Sequence, residues 1–351
     1  MRTSMGPCRL VRRVCGGAAA CALVTAAASA RADPACAGPL SPCINDDALW
    51  VHAGPARFVQ VGSSETLPGS QLGFGLVATY LSRPVVFQVP SPGGFGSDQY
   101  AVNQQVNATF LWAYGLTDRL ELDVALPITL GQSGAGLSPI TGGAALTDTA
   151  VRDMRFGFAY ELVPHVPNKS AAPVGPHPSG AAVEATREWG LAARFEMSAP
   201  TGDHDQFAGE STGVFVPSVA ADYRHPGGLV AGLEIGARLR PTTDLLTARV
   251  GSQLVLGGGV GYEILPHELL TAAFEAWALP MLVTQGDGSH IVPAEWQVSA
   301  RTAPVAHGDV TLEISGGGPF QAPEPITTPQ FRFTLGVRWS PTARAVAQAP
   351  R

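Results

Sequence analysis

The sequence predicts an all-β fold: a transmembrane, antiparallel, up-and-down β-barrel of about 12 strands over residues 71–340, in a chain exported by a signal peptide. Three observations predict it. Apolar and polar residues alternate with period two along most of the chain after residue 70. Charged residues keep to one parity of that alternation. The chain opens with basic residues, then an uncharged stretch, then an A-x-A cleavage pattern.

At the amino terminus, Arg9, Arg12 and Arg13 precede the uncharged run Val14–Ala30, and Ala30-Arg31-Ala32 is the cleavage pattern, so residues 1–32 read as a signal peptide and the mature chain starts at Asp33. A lipoprotein signal with Cys21 as acceptor, after Ala18-Ala19-Ala20, is the alternative; a retained membrane helix is a further one, in a stretch that is short for it. Cleavage removes five arginines and no acid, taking the formal charge from −6 to about −11. Cys8, Cys15 and Cys21 leave with the signal. Cys36 and Cys43 remain and are expected to pair in an oxidising periplasm, closing a short loop worth roughly 2.5 kcal/mol of chain entropy. Residues 33–70 then form a periplasmic segment carrying that disulfide, or a plug or cap of the barrel. No later apolar run reaches 18 residues, so no helix is long enough to span a bilayer.

The strands follow in order. Leu72, Phe74, Leu76, Ala78 and Tyr80 share one face; so do Val106, Ala108, Phe110, Trp112 and Tyr114. Leu120, Leu122, Val124 and Leu126 come next, then Met154, Phe156, Phe158, Tyr160 and Leu162, then Trp189, Leu191, Ala193, Phe195 and Met197. Shorter members cover 215–223, 229–239, 250–264, 270–276, 294–300 and 310–314. The last strand alternates most cleanly: Phe331, Phe333, Leu335, Val337 and Trp339 against Arg332, Thr334, Gly336 and Arg338.

The charges decide which face meets lipid. Glu121, Asp123, Arg155, Glu161, Arg194, Glu196, Glu234, Arg238, Glu263, Glu275, Glu295, Arg301, Glu313, Arg332 and Arg338 all sit on the polar parity and are expected to face the lumen; Arg152, near a strand end, is an exception. A soluble sandwich also alternates, but only a lipid-facing wall excludes charge so strictly, since one arginine at mid-depth costs roughly 2–4 kcal/mol. Tyr114, Tyr160, Trp189, Tyr223, Tyr262 and Trp339 fall at strand ends sharing one rim, as an interfacial girdle does.

The connections alternate in length. Short turns lie near 115–118, 225–228, 266–267 and 307–308; longer links cover 81–103, 131–151, 199–212, 241–249, 280–293 and 317–329. Short turns belong to the periplasmic side, and an even strand number places both termini there. The proline-rich stretch 164–186 breaks the rule and reads as a disordered periplasmic loop, or as a plug.

Four segments carry a family resemblance: Cys43-Ile44-Asn45-Asp46-Asp47-Ala48-Leu49-Trp50, the run Tyr114–Leu122, Pro200-Thr201-Gly202-Asp203, and the ending Gly336–Pro341. Together they resemble the porin-like barrel portion of OmpA-family outer-membrane proteins and, more loosely, the outer-membrane transporters of the phenol-degradation MetA-pathway type. The resemblance implies insertion by the outer-membrane assembly machinery, reading Phe331, Phe333, Leu335, Val337 and Trp339 as its signal. Such proteins can carry a peptidoglycan-binding domain after the barrel; the short tail 341–351 has no such pattern, so wall anchoring is not carried over.

No enzyme motif appears: the eight histidines are scattered, and no G-x-S-x-G, H-E-x-x-H or Walker sequence occurs. Asp203, His204 and Asp205 read as a solvated polar loop rather than a cation site, and Gly257-Gly258-Gly259 as a place of bending or close packing. No cofactor or metal is expected, and the net negative charge implies no nucleic-acid partner. The expected partners are outer-membrane lipid, the assembly machinery and small solutes. The function expected is a porin-like channel or transporter in the outer membrane of a Gram-negative bacterium. The alternatives are a structural or surface-interaction barrel with a closed lumen, and a soluble secreted β protein.

Overall fold

The computed structural model describes residues 36, 38–89, 97–142, 145–165, 188–265, 269–305, 310–322 and 325–341. The expected signal peptide, most of the 164–186 stretch and the tail from residue 342 lie outside them. Twelve strands close one antiparallel barrel: β1 (Leu72–Val89), β2 (Ser97–Thr117), β3 (Leu120–Ser133), β4 (Arg155–Val163), β5 (Trp189–Ser198), β6 (Val214–Arg224), β7 (Leu229–Arg238), β8 (Gln253–Leu265), β9 (Leu270–Ala278), β10 (Ala294–Val305), β11 (Val310–Pro319) and β12 (Phe331–Trp339). Each pairs with its sequence neighbour. β12 returns to β1, from Phe74 opposite Trp339 to Ser82 opposite Phe331, so no edge is left in the wall.

The alternation translates directly into an outside and an inside. On β12, Leu335 is 49% exposed while its neighbour Thr334 is 1% exposed. Leu72, Phe74, Phe158, Ile235, Val298 and Ile314 are exposed in the same way, forming a continuous apolar outer surface. Tyr114, Tyr160, Trp189, Tyr223, Tyr262 and Trp339 are also exposed and ring the short-turn end. Placing a charge on this face, as in Leu335→Arg, is expected to destabilise the folded barrel by roughly 2–4 kcal/mol. Urea titration in lipid vesicles measures it; an unchanged midpoint would place the residue away from lipid.

The stretch 81–103, read from the sequence as a loop, is mostly strand. β1 and β2 remain paired up to Val89 opposite Ser97, beyond the points where β12 and β3 stop. The register shifts between Ser82 and Val86, and Val85, Phe87, Ala101 and Val102 are buried there because they have a core to fill. With Ile44, Phe207, Leu245, Val250 and Met281 they form an apolar cluster at the long-loop end. The other loops supply the helix Ser138–Thr141 and the small hairpin Thr243–Leu245 with Ala248–Val250.

Candidate functional site

A barrel of about eight strands fills with its own side chains, and one of 16 to 18 leaves an aqueous channel. Twelve strands enclose room for one extra chain segment, and the residues before β1 occupy it. At the long-loop end Leu40 bridges Leu245, and the Asp46 N–H donates to the Phe207 carbonyl at 3.1 Å. Cys43, Ile44, Trp50, Val51, His52, Phe58, Val59, Val61 and Leu67 are buried along the way. At the short-turn end the Ser70 N–H donates to the Gly115 carbonyl at 2.6 Å, and the chain enters β1. Of the readings open for residues 33–70, a periplasmic segment, a plug or a cap, the described residues 40–67 take that of a plug: they run through the lumen. Cys36 and Cys43 are disulfide-bonded at the long-loop end, opposite the short turns. The described amino-terminal residues likewise do not share an end with the close of β12, as an even strand count alone had implied.

The plug has almost no regular secondary structure, so its backbone polar groups need partners other than a ladder. Between Asp47 and Leu67 no described backbone–backbone hydrogen bond joins it to the wall. The inward charges do this instead. The Glu275 carboxylate accepts from the N–H groups of Val59, Gln60 and Val61 at 2.9, 3.0 and 3.3 Å. Glu234 accepts from Gly62 at 2.8 Å and Glu121 from Leu67 at 2.7 Å. The guanidiniums serve the carbonyls: Arg155 donates to Val51 at 3.0 Å, Arg238 to Ala48 at 2.9 Å, Arg338 to His52 at 2.6 Å and Arg301 to Ala56. Charge-assisted bonds of this kind are about twice as strong as neutral ones.

Two plug side chains sit at the centre of this network. The Arg155 and Arg238 guanidiniums each lie over the Trp50 indole, 4.5 and 5.2 Å from its ring centre, and its Nε1–H donates to Glu196 at 2.7 Å. His52 bridges two wall acids, with Nδ1 on Glu196 and Nε2 3.2 Å from Glu234. Nearer the long-loop end, Arg332 joins Asp47 at 2.7 Å and Glu295 at 2.8 Å, and Arg152 joins Asp46 at 2.8 Å. Glycines make room for the plug: a Cβ on Gly259 or Gly232 would lie 2.6 or 2.7 Å from the Phe58 ring, and one on Gly115 would strike the Pro68 carbonyl. The Gly257–Gly259 run is thus a site of close packing.

Of the fifteen charges assigned to the polar parity, Glu121, Asp123, Arg155, Glu161, Arg194, Glu196, Glu234, Arg238, Glu275, Glu295, Arg332 and Arg338 are buried, and Glu263, Arg301 and Glu313 are half-buried. They do not line an open lumen; most of them meet the plug or one another. Phe331, Leu335, Val337 and Trp339 of the proposed assembly signal point outward. Arg152, set aside as a strand-end exception, is 2% exposed and clamps the plug. The plug's own residues were missed as site residues, although the run Cys43–Trp50 contains Asp46, Asp47 and Trp50. In the same way Pro200–Asp203 is structural: Thr201 and Gly202 donate their N–H groups to Asp153, and Val151 donates to Asp203.

Two acids at the long-loop end are tuned upward. Burial pushes Asp46 up to about 6 against the opposing pull of Arg152, and burial pushes Asp153 up to about 6 against the N–H bonds from Glu210 and Gly202. Each folded value exceeds the ordinary value of 3.8, so each folded carboxyl holds its proton the more tightly. Their contribution to stability is full below 3.8 and is lost as pH rises through about 6. The thermal midpoint in detergent is expected to fall over that window. The double variant Asp46→Asn with Asp153→Asn is expected to flatten that limb whatever its absolute stability; an identical slope would refute the assignment.

No protein-family model and no curated protein matches this chain. Solved structures share its architecture. The COG4313 outer membrane channel from Pseudomonas putida F1 superposes with a TM-score of 0.52 at 18% identity, covering 80% of this chain and 99% of that one. The KdgM porin gives 0.41 at 8% identity, over 77% and 99%. The P. putida toluene transporter TodX gives 0.41 at 9% identity, over 89% and 100%. The likeness to the first is one of fold: a closed antiparallel barrel of the outer-membrane kind.

Proposed function

We propose that this protein is an outer-membrane channel for small solutes, closed by its own amino-terminal segment. The observation that carries the reading is how the plug is held. It fills a barrel that is apolar outside and charged inside, yet it shares no ladder with the wall. From Asp47 to Leu67 it can therefore leave by exchanging side-chain bonds for water, with the pairings of the twelve wall strands intact, while Leu40 to Asp46 give up their backbone bonds to the loops. Vacating the lumen exposes a hydrated, charged pathway. The likeness to the channel architecture and the four OmpA-like and MetA-type segments support placement in the outer membrane, surrounded by lipid and inserted through the β12 signal. A filled lumen also favours a second reading, a structural barrel that never opens.

Single-channel recording of the purified, refolded protein in a planar bilayer separates the two. Discrete steps that come and go are expected of a plug that moves. A protein that inserts stably and stays silent under all voltages and after mild denaturant would support the structural reading and sink the channel.

A further inference from the structure

We infer that the plug is fastened at the cell surface: its amino-terminal end belongs to the external loop cap and is displayed outside the cell. This rests on the outer-membrane reading proposed above, which makes the long-loop end the outer one.

The direction of the plug is the first argument. It enters among the long loops and leaves beside the short turn between β2 and β3, where the Gly69 N–H donates to Asp118 at 3.0 Å and Gly115 donates to the Gln71 carbonyl at 2.9 Å. There the chain passes straight into β1, so the turn end offers a partner no free end to pull. The outer end is built differently. The disulfide closes the turn from Cys36 to Cys43, and the external hairpin clasps it: Ser41 donates to the Asp244 carbonyl and Leu246 to the Pro39 carbonyl, both at 3.0 Å. Leu40 and Ile44 pack into the apolar cluster formed by Phe87, Phe207, Leu245 and Met281. Gly38 and Pro39 are exposed. The plug's outer anchor and the loops are therefore one surface.

The test uses the full-length protein in the outer membrane of intact cells. An epitope is inserted between Gly38 and Pro39, with one control after Ile140 in the loop helix and another between Asp118 and Arg119 in the short turn. The expected result is antibody binding at Gly38–Pro39 in intact cells, as at Ile140, with the Asp118–Arg119 epitope reached only after permeabilisation. Binding at Gly38–Pro39 only after permeabilisation, with the controls as expected, overturns the inference and leaves the channel reading standing. Controls that do not separate overturn the outer-membrane orientation, and the inference with it. A second measurement avoids insertions. In the unmodified protein the reactive amines are the amino terminus and Lys169, the sole lysine. A membrane-impermeant amine reagent is expected to mark the amino-terminal peptide in intact cells; its protection there would contradict the inference.

Discussion

Deleting residues 40–67 and recording from the refolded barrel is expected to convert a closed or intermittently open protein into one with large, continuous conductance. The wall should survive the deletion, because its hydrogen bonds run strand to strand around a closed ring and none depends on the plug. The inward charges, no longer bonded to plug backbone, would be solvated by the water that replaces it. Their balance then sets the selectivity. Glu121, Asp123, Glu196, Glu234, Glu275 and Glu295 face Arg155, Arg194, Arg238, Arg332 and Arg338 across the space, with Glu161 and Asp222 toward the short-turn end. The excess of acids favours cations, and the preference is expected to sharpen at low salt, where the Debye length grows from about 10 Å at 0.1 M to about 30 Å at 0.01 M. The reversal potential in a salt gradient reads this directly. A deletion variant that folds, inserts and conducts no more than the full chain would mean that the wall collapses inward and that no pathway exists.

Glu275→Ala is expected to free the plug without touching it. One carboxylate accepts from three consecutive plug N–H groups, and the alanine leaves all three buried without that acceptor. Each such loss costs roughly 1–3 kcal/mol, so the local cost is at least about 3 kcal/mol, or about a hundredfold in the opening equilibrium. Hydrogen exchange at Val59, Gln60 and Val61 is expected to accelerate by that order, while amides of the strand ladders keep their protection. Glu275→Gln, which keeps an acceptor oxygen, should fall between the two. Equal acceleration throughout the wall would show that Glu275 stabilises the barrel as a whole. No change at the three amides would show that water replaces the carboxylate at no cost. The same variant should raise the open probability in single-channel records.

Much of the wall was legible in the sequence because a strand's facing is a local property. Phe331 to Trp339 can be assigned to two faces from nine consecutive residues, and the exclusion of charge from one of them marks the outer face without any knowledge of neighbours. The aromatic rim was legible for the same reason. The extension of β1 and β2 was less so. Val85 and Phe87 alternate correctly, but whether they belong to a loop or a strand depends on Phe207, Leu245 and Met281, which arrive from distant loops.

The plug shows where local reasoning stops. Residues 47–67 have no period of 2 or 3.6 to read, since their backbone is paired with side chains rather than with another strand. Those partners lie far away in the chain: 54 residues from Leu67 to Glu121 and 286 from His52 to Arg338. The sequence by itself determined that the chain makes a barrel of about 12 strands, which side of each strand faces outward and which charges point inward, because alternation and charge parity are written residue by residue. Only the tertiary structure decided that those charges grip a plug, and from which end the plug enters. A charged side chain facing inward looks the same in sequence whether it meets water or the backbone of a distant segment, and only the closing of the ring determines which of the two fills the space.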